Sequence, residues 1–329
     1  MKTLVEKISQ HKERTIPILS FPSAQLLGVS VKELVTSSDC QQKGMQAIAD
    51  RCPIGASLHM MDLSVEAEAF GAQIRIYEDE IPSVAKGIID DIADADGIQV
   101  PPVGAGRTAL YVDGVRKAKQ SITDLPVFCG VIGPYSLAGR LFDMTELMIE
   151  CHDSPDEVKV LLSKATEFIK SYILAFKAAG ADGVVMAEPA AGLLSPAMAN
   201  EFSTPFVREI FDAINDENFV ICYHNCGNTV SDMLDSIRQL PADIFHFGNA
   251  IDLAKAVAAM PSDRLVMGNV DPVMLKESDP QSVKQEVARV FTECAHFDNF
   301  MISTGCDVPS DAKWENIDAY FEAVRDYYA

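Results

Sequence analysis

Short apolar runs bounded by Gly, Pro or Asp alternate along this chain with longer stretches of helical spacing. The runs are Ile16–Phe21, Ile54–Met60, Pro126–Ile132, Gly183–Ala187, Phe219–His224, Asp243–Phe247, Arg264–Gly268 and Asn299–Ser303. Their length and near-continuous apolar character predict strands buried on both faces, as in parallel sheets. Helical spacing covers Ser154–Ala179, Pro196–Asn215, Thr229–Gln239, Pro280–His296 and Trp314–Tyr328. Ser154-Pro155-Asp156-Glu157 predicts a helix start with a serine cap and proline at the first position, and Gly180 predicts its end. Eight strands alternating with helices predict an α/β fold, specifically a (β/α)8 barrel forming one domain across residues 1–329. A doubly wound sheet uses the same alternation, because counting strands does not show closure.

One segment breaks the rhythm. Phe70–Glu80 reads as extended chain, a hairpin inserted after the second strand, and Pro101–Asp124 is a second long connection holding helix and loop. In a barrel such insertions fall on the strand-to-helix side and roof an active site.

Composition narrows the function. The 329 residues are 48% hydrophobic with a formal net charge of −21. That balance argues against nucleic acid, whose phosphates need clustered Lys and Arg. No run is long and apolar enough for a membrane span, and the charged start MKTLVEKISQHKERT lacks the apolar centre of a signal peptide, so a cytoplasmic protein is expected. Eight cysteines in that setting do not suggest a disulfide framework. Cys40, Cys52, Cys129, Cys151, Cys222 and Cys294 sit in apolar or helical surroundings and read as small buried hydrophobes.

Cys226 and Cys306 differ, since each lies beside glycine just after an apolar run. His224 ends the fifth predicted strand and Cys226 follows two residues on, which puts both side chains on one side of extended chain. Cys306 follows the eighth strand after Thr304-Gly305. All three therefore fall at strand C-termini, the face where barrels build their sites, and the fifth and eighth strands lie three apart around the mouth. One imidazole and two thiols are ligand types that zinc prefers, and three protein ligands leave a position open for chemistry. A redox pair would use the two thiols but give His224 no role. Glu188 ends the fourth strand and reads as a weak fourth ligand, a group orienting His224, or an acid at the helix start near Ser195-Pro196. Asn249 and Asp271 follow the sixth and seventh strands, as substrate-binding groups or as turn formers, and Tyr135 lies past the third strand as a mouth-lining or packing residue. His246 alternates within an apolar strand and reads as a satisfied core histidine.

Two thiolates and a neutral imidazole leave a zinc site without net charge. That suits holding a thiolate that stays electron-rich more than generating hydroxide, and points to alkyl transfer at a zinc-bound heteroatom.

The segments VFCGVIGPYSLAG, AEPAAGLLSP, HNCGN, MGNVDP and STGCDVP, in this order, with AEAFGAQIRIYEDEIPSV before them, resemble the uroporphyrinogen decarboxylase superfamily. They are more similar to its zinc-dependent branch of corrinoid methyltransferases, of the methylcobalamin:coenzyme M kind. The resemblance implies a (β/α)8 barrel, zinc on His224, Cys226 and Cys306, and cobalamin supplied by a partner corrinoid protein. It also implies a methyl group moved to or from a small-molecule acceptor or donor. A demethylase of the same branch, and a non-catalytic barrel that binds a corrinoid or tetrapyrrole, are the alternatives. The decarboxylases carry arginines after the first strand, where this chain reads ILSFPSAQLLGV, so decarboxylation is the weakest expectation.

Overall fold

The structure, a computed structural model, describes all 329 residues, Met1–Ala329. Its strands are β1 (Ser57–Leu58), β2 (Gln73–Arg75), β3 (Ser83–Lys86), β4 (Val127–Ile132), β5 (Gly183–Ala187), β6 (Val220–Asn225), β7 (Ile244–Phe247), β8 (Leu265–Val270) and β9 (Phe300–Thr304). Seven of them form one parallel sheet in the order β1-β4-β5-β6-β7-β8-β9. Within that sheet the strands follow one another in chain order, with no reversal, which is the winding of an α/β barrel and not of a doubly wound sheet.

The eighth staves differs from the expectation. Residues 16–21 are extended and flank β9, but they form no ladder: a single parallel bridge, Thr15 to Ile54, represents the strand predicted at Ile16–Phe21. Pro17 has no N–H to offer a ladder. Side-chain hydroxyls substitute for the missing bonds. Ser303 Oγ donates to the Ile16 carbonyl at 2.7 Å, Thr304 Oγ1 accepts from Ile18 N at 3.0 Å, and Thr15 Oγ1 donates to the Ile302 carbonyl.

Inside the sheet, residues two apart point to the axis and form a core of their own, separate from the larger core between sheet and helices. Phe128, Val185, Val220, Cys222, Ile244, Leu265, Met267 and Met301 belong to it. The short helix Thr3–Ser9 plugs the N-terminal end by adding Val5 and Ile8. Lys2 anchors that plug, its ammonium reaching the buried Asp243 carboxylate at 2.8 Å and the Phe219 carbonyl at 2.7 Å.

The outer helices follow their signals with three exceptions. The helix Pro155–Ala178 ends as predicted: Gly180 has φ 101°, and the Gly180 and Ala181 amides bond back to the Lys177 and Phe176 carbonyls. Ser154 precedes it, but its side chain makes no cap bond. The helix expected over Pro196–Asn215 is two, Pro196–Phe202 and Thr204–Ile214, because Pro205 cannot continue the first one's hydrogen bonding. Thr229–Gln239 holds only a 3-10 turn, Val230–Met233, and one helical turn, Leu234–Ile237.

The inserted hairpin is present, with β2 antiparallel to β3, its second arm lying beyond the predicted Phe70–Glu80. The long connection 101–124 holds the helix Thr108–Ser121. A buried ion cluster ties the long connection to the segment that follows β1: Arg107 meets Asp62 at 2.6 Å and Glu68 at 2.6 Å, and the Tyr111 hydroxyl donates to Asp62. No helix is long and apolar enough to cross a membrane.

The axial core makes a direct prediction. Phe128→Ala empties a site at the centre of the barrel and lowers the unfolding free energy by about 3–5 kcal/mol in a denaturant titration.

Candidate metal centre

The side chains that point to the axis change character from the N-terminal end of the barrel to its mouth. On β6 they run Val220, Cys222, His224; on β7 Ile244, His246; on β9 Met301, Ser303. The two-residue period that buries apolar groups below therefore delivers polar groups above, in the same row. Cys226 extends the β6 row by two more residues, and Cys306 follows β9 after Gly305.

The structure brings His224, Cys226 and Cys306 together, with their ligand atoms all within 4.8 Å of one another. Cys306 Sγ lies 3.7 Å from His224 Nε2 and 3.6 Å from Cys226 Sγ. A tetrahedral zinc with Zn–S near 2.3 Å and Zn–N near 2.05 Å would set its ligand atoms roughly 3.6 Å (S to N) and 3.8 Å (S to S) apart. The donor set thus stands close to the edges of a zinc tetrahedron, and the three residues fit that ion.

Behind His224 a chain of hydrogen bonds selects its tautomer. In-register pairing of β6 with β7 sets His224 opposite His246, and their Nδ1 atoms are 2.7 Å apart. Ser303 gives its only proton to the Ile16 carbonyl, so it accepts from His246 Nε2 at 2.9 Å. Burial, with His224 alongside, holds His246 far below the usual imidazole range, so it is neutral and its Nδ1 is a bare acceptor. The proton between the two rings then belongs to His224 Nδ1. That leaves the lone pair of His224 on Nε2, the atom facing Cys306. His246 is satisfied in the core as expected from its alternation, and its partner is the candidate ligand.

The two thiols are hydrogen-bonded to each other, Cys306 Sγ donating to Cys226 Sγ. Accepting a hydrogen bond from Cys306 lowers the Cys226 pKa, and donating that bond pushes Cys306 up to about 12. Close backbone approach fixes Cys226: a Cβ on Gly248 would lie 2.6 Å from its Cα, and Asn269 Nδ2 holds the loop after β7 by bonds of 3.0 Å to the Gly248 and Ile251 carbonyls.

The remaining predicted site residues lie elsewhere around the mouth. The Glu188 carboxylate is outside the donor triad; it accepts from the Tyr135 and Ser136 amides at 3.1 and 2.7 Å and from Ser136 Oγ at 2.6 Å, at the start of helix Pro134–Leu141. Its amide donates to the His224 carbonyl. Tyr135 is buried, its hydroxyl turned to Cys151 at 4.0 Å. Asp271 caps the helix Pro272–Glu277 by accepting from Val273 N at 2.9 Å. Asn249 is exposed, its backbone packed where a Cβ on Gly305 would stand.

A cavity of about 60 Å³ opens at the triad. Ile18, Met61, Leu63, Ala187 and Pro189 give it apolar walls, and Asp307 joins the three donors on its polar side. Both Asp307 carboxylate oxygens are buried without a hydrogen-bond partner, and burial drives this carboxyl far above the usual carboxylate range. Sequence reading missed Asp307, Ser303 and Asn269. Adjacency to Cys306 was the only signal for the first, and the others depend on contacts between distant strands.

Two measurements check this geometry. His246→Leu removes the acceptor that orients His224, and zinc affinity in a chelator competition falls roughly 10–100-fold in a protein that remains folded. Glu66 and Glu188, both carried up to about 7 from 4.5 chiefly by burial, hold protons in the folded state that the unfolded chain has released. Their contribution is complete below 4.5 and is lost as pH rises through 7. The unfolding free energy therefore falls over that window by on the order of a few kcal/mol, and Glu66→Gln flattens part of the decline.

Comparison with known proteins agrees with this architecture. The chain is 24% identical to a methylcobamide:CoM methyltransferase of Methanosarcina acetivorans over 81% of its own length and 78% of the relative's. It is 26% identical to a uroporphyrinogen decarboxylase of Pseudomonas syringae pv. syringae, over 85% of its length and 81% of the relative's. Among solved structures, a methyltransferase from Methanosarcina mazei superposes with a TM-score of 0.88 at 22% identity, covering 100% of this chain and 99% of that one. A B12-independent methionine synthase from Shewanella sp. W3-18-1 shares the fold at a TM-score of 0.58 and 13% identity, over 88% of each chain. The uroporphyrinogen decarboxylase (URO-D) family profile matches residues 17–327, and the chain belongs to that family.

Proposed function

We propose that this chain is a zinc-dependent methyltransferase that moves a methyl group between a corrinoid and a small-molecule thiol. The observation that carries the reading is the His224, Cys226, Cys306 triad, spaced for a tetrahedral ion at the barrel mouth. The relatives divide between methylcobamide:CoM methyltransferases and uroporphyrinogen decarboxylases at similar identity, so identity alone does not choose. The chemistry of the site does. Two thiols and an imidazole suit a soft substrate atom, and no Lys or Arg lines the cavity to receive the carboxylates of a porphyrinogen. The nearby Arg107 is held by Asp62 and Glu68.

The chain's own residues prepare the site. His224 presents its Nε2 lone pair because His246 and Ser303 fix its tautomer. Cys226 and Cys306 would each give up a thiol proton in order to hold the ion. When bound, zinc would keep a thiol substrate deprotonated and nucleophilic at neutral pH. Ile18, Met61, Leu63 and Pro189 keep water from that sulfur. The cavity at the triad is far too small for a corrin ring, which supports a cobalamin that stays on a partner corrinoid protein and approaches from outside.

Zinc analysis with X-ray absorption at the zinc edge tests the proposal. One zinc per chain, held by two sulfurs and one nitrogen and gaining a third sulfur when a small thiol is added, is the expected result. Cys306→Ser loses stoichiometric zinc, and with it the consumption of methylcobalamin followed by its visible absorbance. Methyl transfer that persists in a zinc-free sample would overturn the reading.

A further inference from the structure

Asp307 is the one ionisable side chain on the cavity wall outside the three candidate ligands. Both its carboxylate oxygens are buried and neither has a partner, although it follows Cys306 directly and lines the same cavity. It lies outside the group of side chains close enough to share an ion with His224 and Cys226. A buried carboxyl group whose oxygens have no partner is costly, and proteins retain one where something else completes it. Nothing of the chain does so here. The cavity has no Lys or Arg in its wall, and the nearest guanidinium in the network above, Arg107, is committed to Asp62 and Glu68.

We propose that Asp307 selects the substrate: the thiol that docks at the metal carries a cationic or N–H donor group, which the Asp307 carboxylate receives. This rests on the zinc and thiol reading above and names the substrate class it left open. The geometry also limits length. Neighbouring Cα atoms are about 3.8 Å apart, so a donor paired with Asp307 sits within a few bonds of a sulfur at the ion held partly by Cys306. An aminothiol of two or three carbons meets that limit. A thiol ending in sulfonate or carboxylate brings Asp307 neither a donor nor a countercharge for its ionised form, in a cavity with no Lys or Arg in its wall, and binds more weakly.

Three thiols of equal length decide it: 2-aminoethanethiol, 2-mercaptoethanol and 2-mercaptoethanesulfonate, positive, neutral and negative at the end remote from sulfur. Each is titrated into the full-length protein loaded with Co2+, and its Kd is read from the sulfur-to-cobalt absorption band, independently of turnover. Wild type binds the aminothiol roughly 10–100-fold tighter than the sulfonate, the range expected for a hydrogen bond to a charged group. Asp307→Asn and Asp307→Ser remove most of that preference while keeping the cobalt spectrum of the unliganded site, and neither lowers the thermal midpoint, since each removes an unpaired buried carboxylate. Equal or tighter binding of the sulfonate to wild type, or an unchanged ranking in both variants, overturns the assignment and leaves the methyltransferase reading standing. Failure of all three thiols to perturb the cobalt band overturns both.

Discussion

Parallel pairing in register, with every second side chain turned to the barrel axis, is the constraint on which the rest of this molecule depends. On β6, β7 and β9 the rows that begin as Val220, Ile244 and Met301 end as His224, His246 and Ser303. A slip of one residue would turn each row outward, exchanging the axial core for helix-facing positions and dispersing the donors. Core and site are therefore not independent features. The apolar lower layers hold the register, and the register holds the imidazole of His224 against that of His246.

The site is preorganised by contacts that carry no chemistry of their own. The tautomer of His224 follows from one serine proton given to the Ile16 carbonyl, three residues of relay away. That same bond closes the barrel where Pro17 prevents a ladder. One hydroxyl thus serves closure and ligand orientation together, which couples the stability of the first segment to the affinity of the metal centre. The glycines act similarly. Gly248 lets the loop after β7 press on the Cys226 backbone, and any side chain there would move a ligand.

Electrostatics separates the buried acids of the mouth by function. Asp62 is matched by Arg107 and Tyr111, and Glu188 by two amides and a hydroxyl at a helix start. These close interactions tie the long connection 101–124 and the helix Pro134–Leu141 to the segments that leave β1 and β5. Asp307 has no such match and faces the cavity, so the same residue type that fastens the rim elsewhere is left available for a ligand.

Much of this was legible along the chain, for a physical reason. Strands buried on both faces must be apolar and short, and helices must repeat every 3.6 residues, so the alternation was visible locally and led to the barrel. The His224 and Cys226 spacing was visible because two residues is the period of extended chain, and their position after an apolar run placed them at the mouth. Local pattern misled where one residue changes backbone hydrogen bonding, as at Pro17 and Pro205. The sequence by itself thus determined the alternation of strands and helices, the strand ends at which the site lies and the types of donor. Only the tertiary structure decided that Cys306 meets the other two, that His246 and Ser303 orient His224, that Glu188 turns to a helix start, and that Asp307 is left without a partner. Each of these depends on distances between residues far apart in the chain, which no local period encodes.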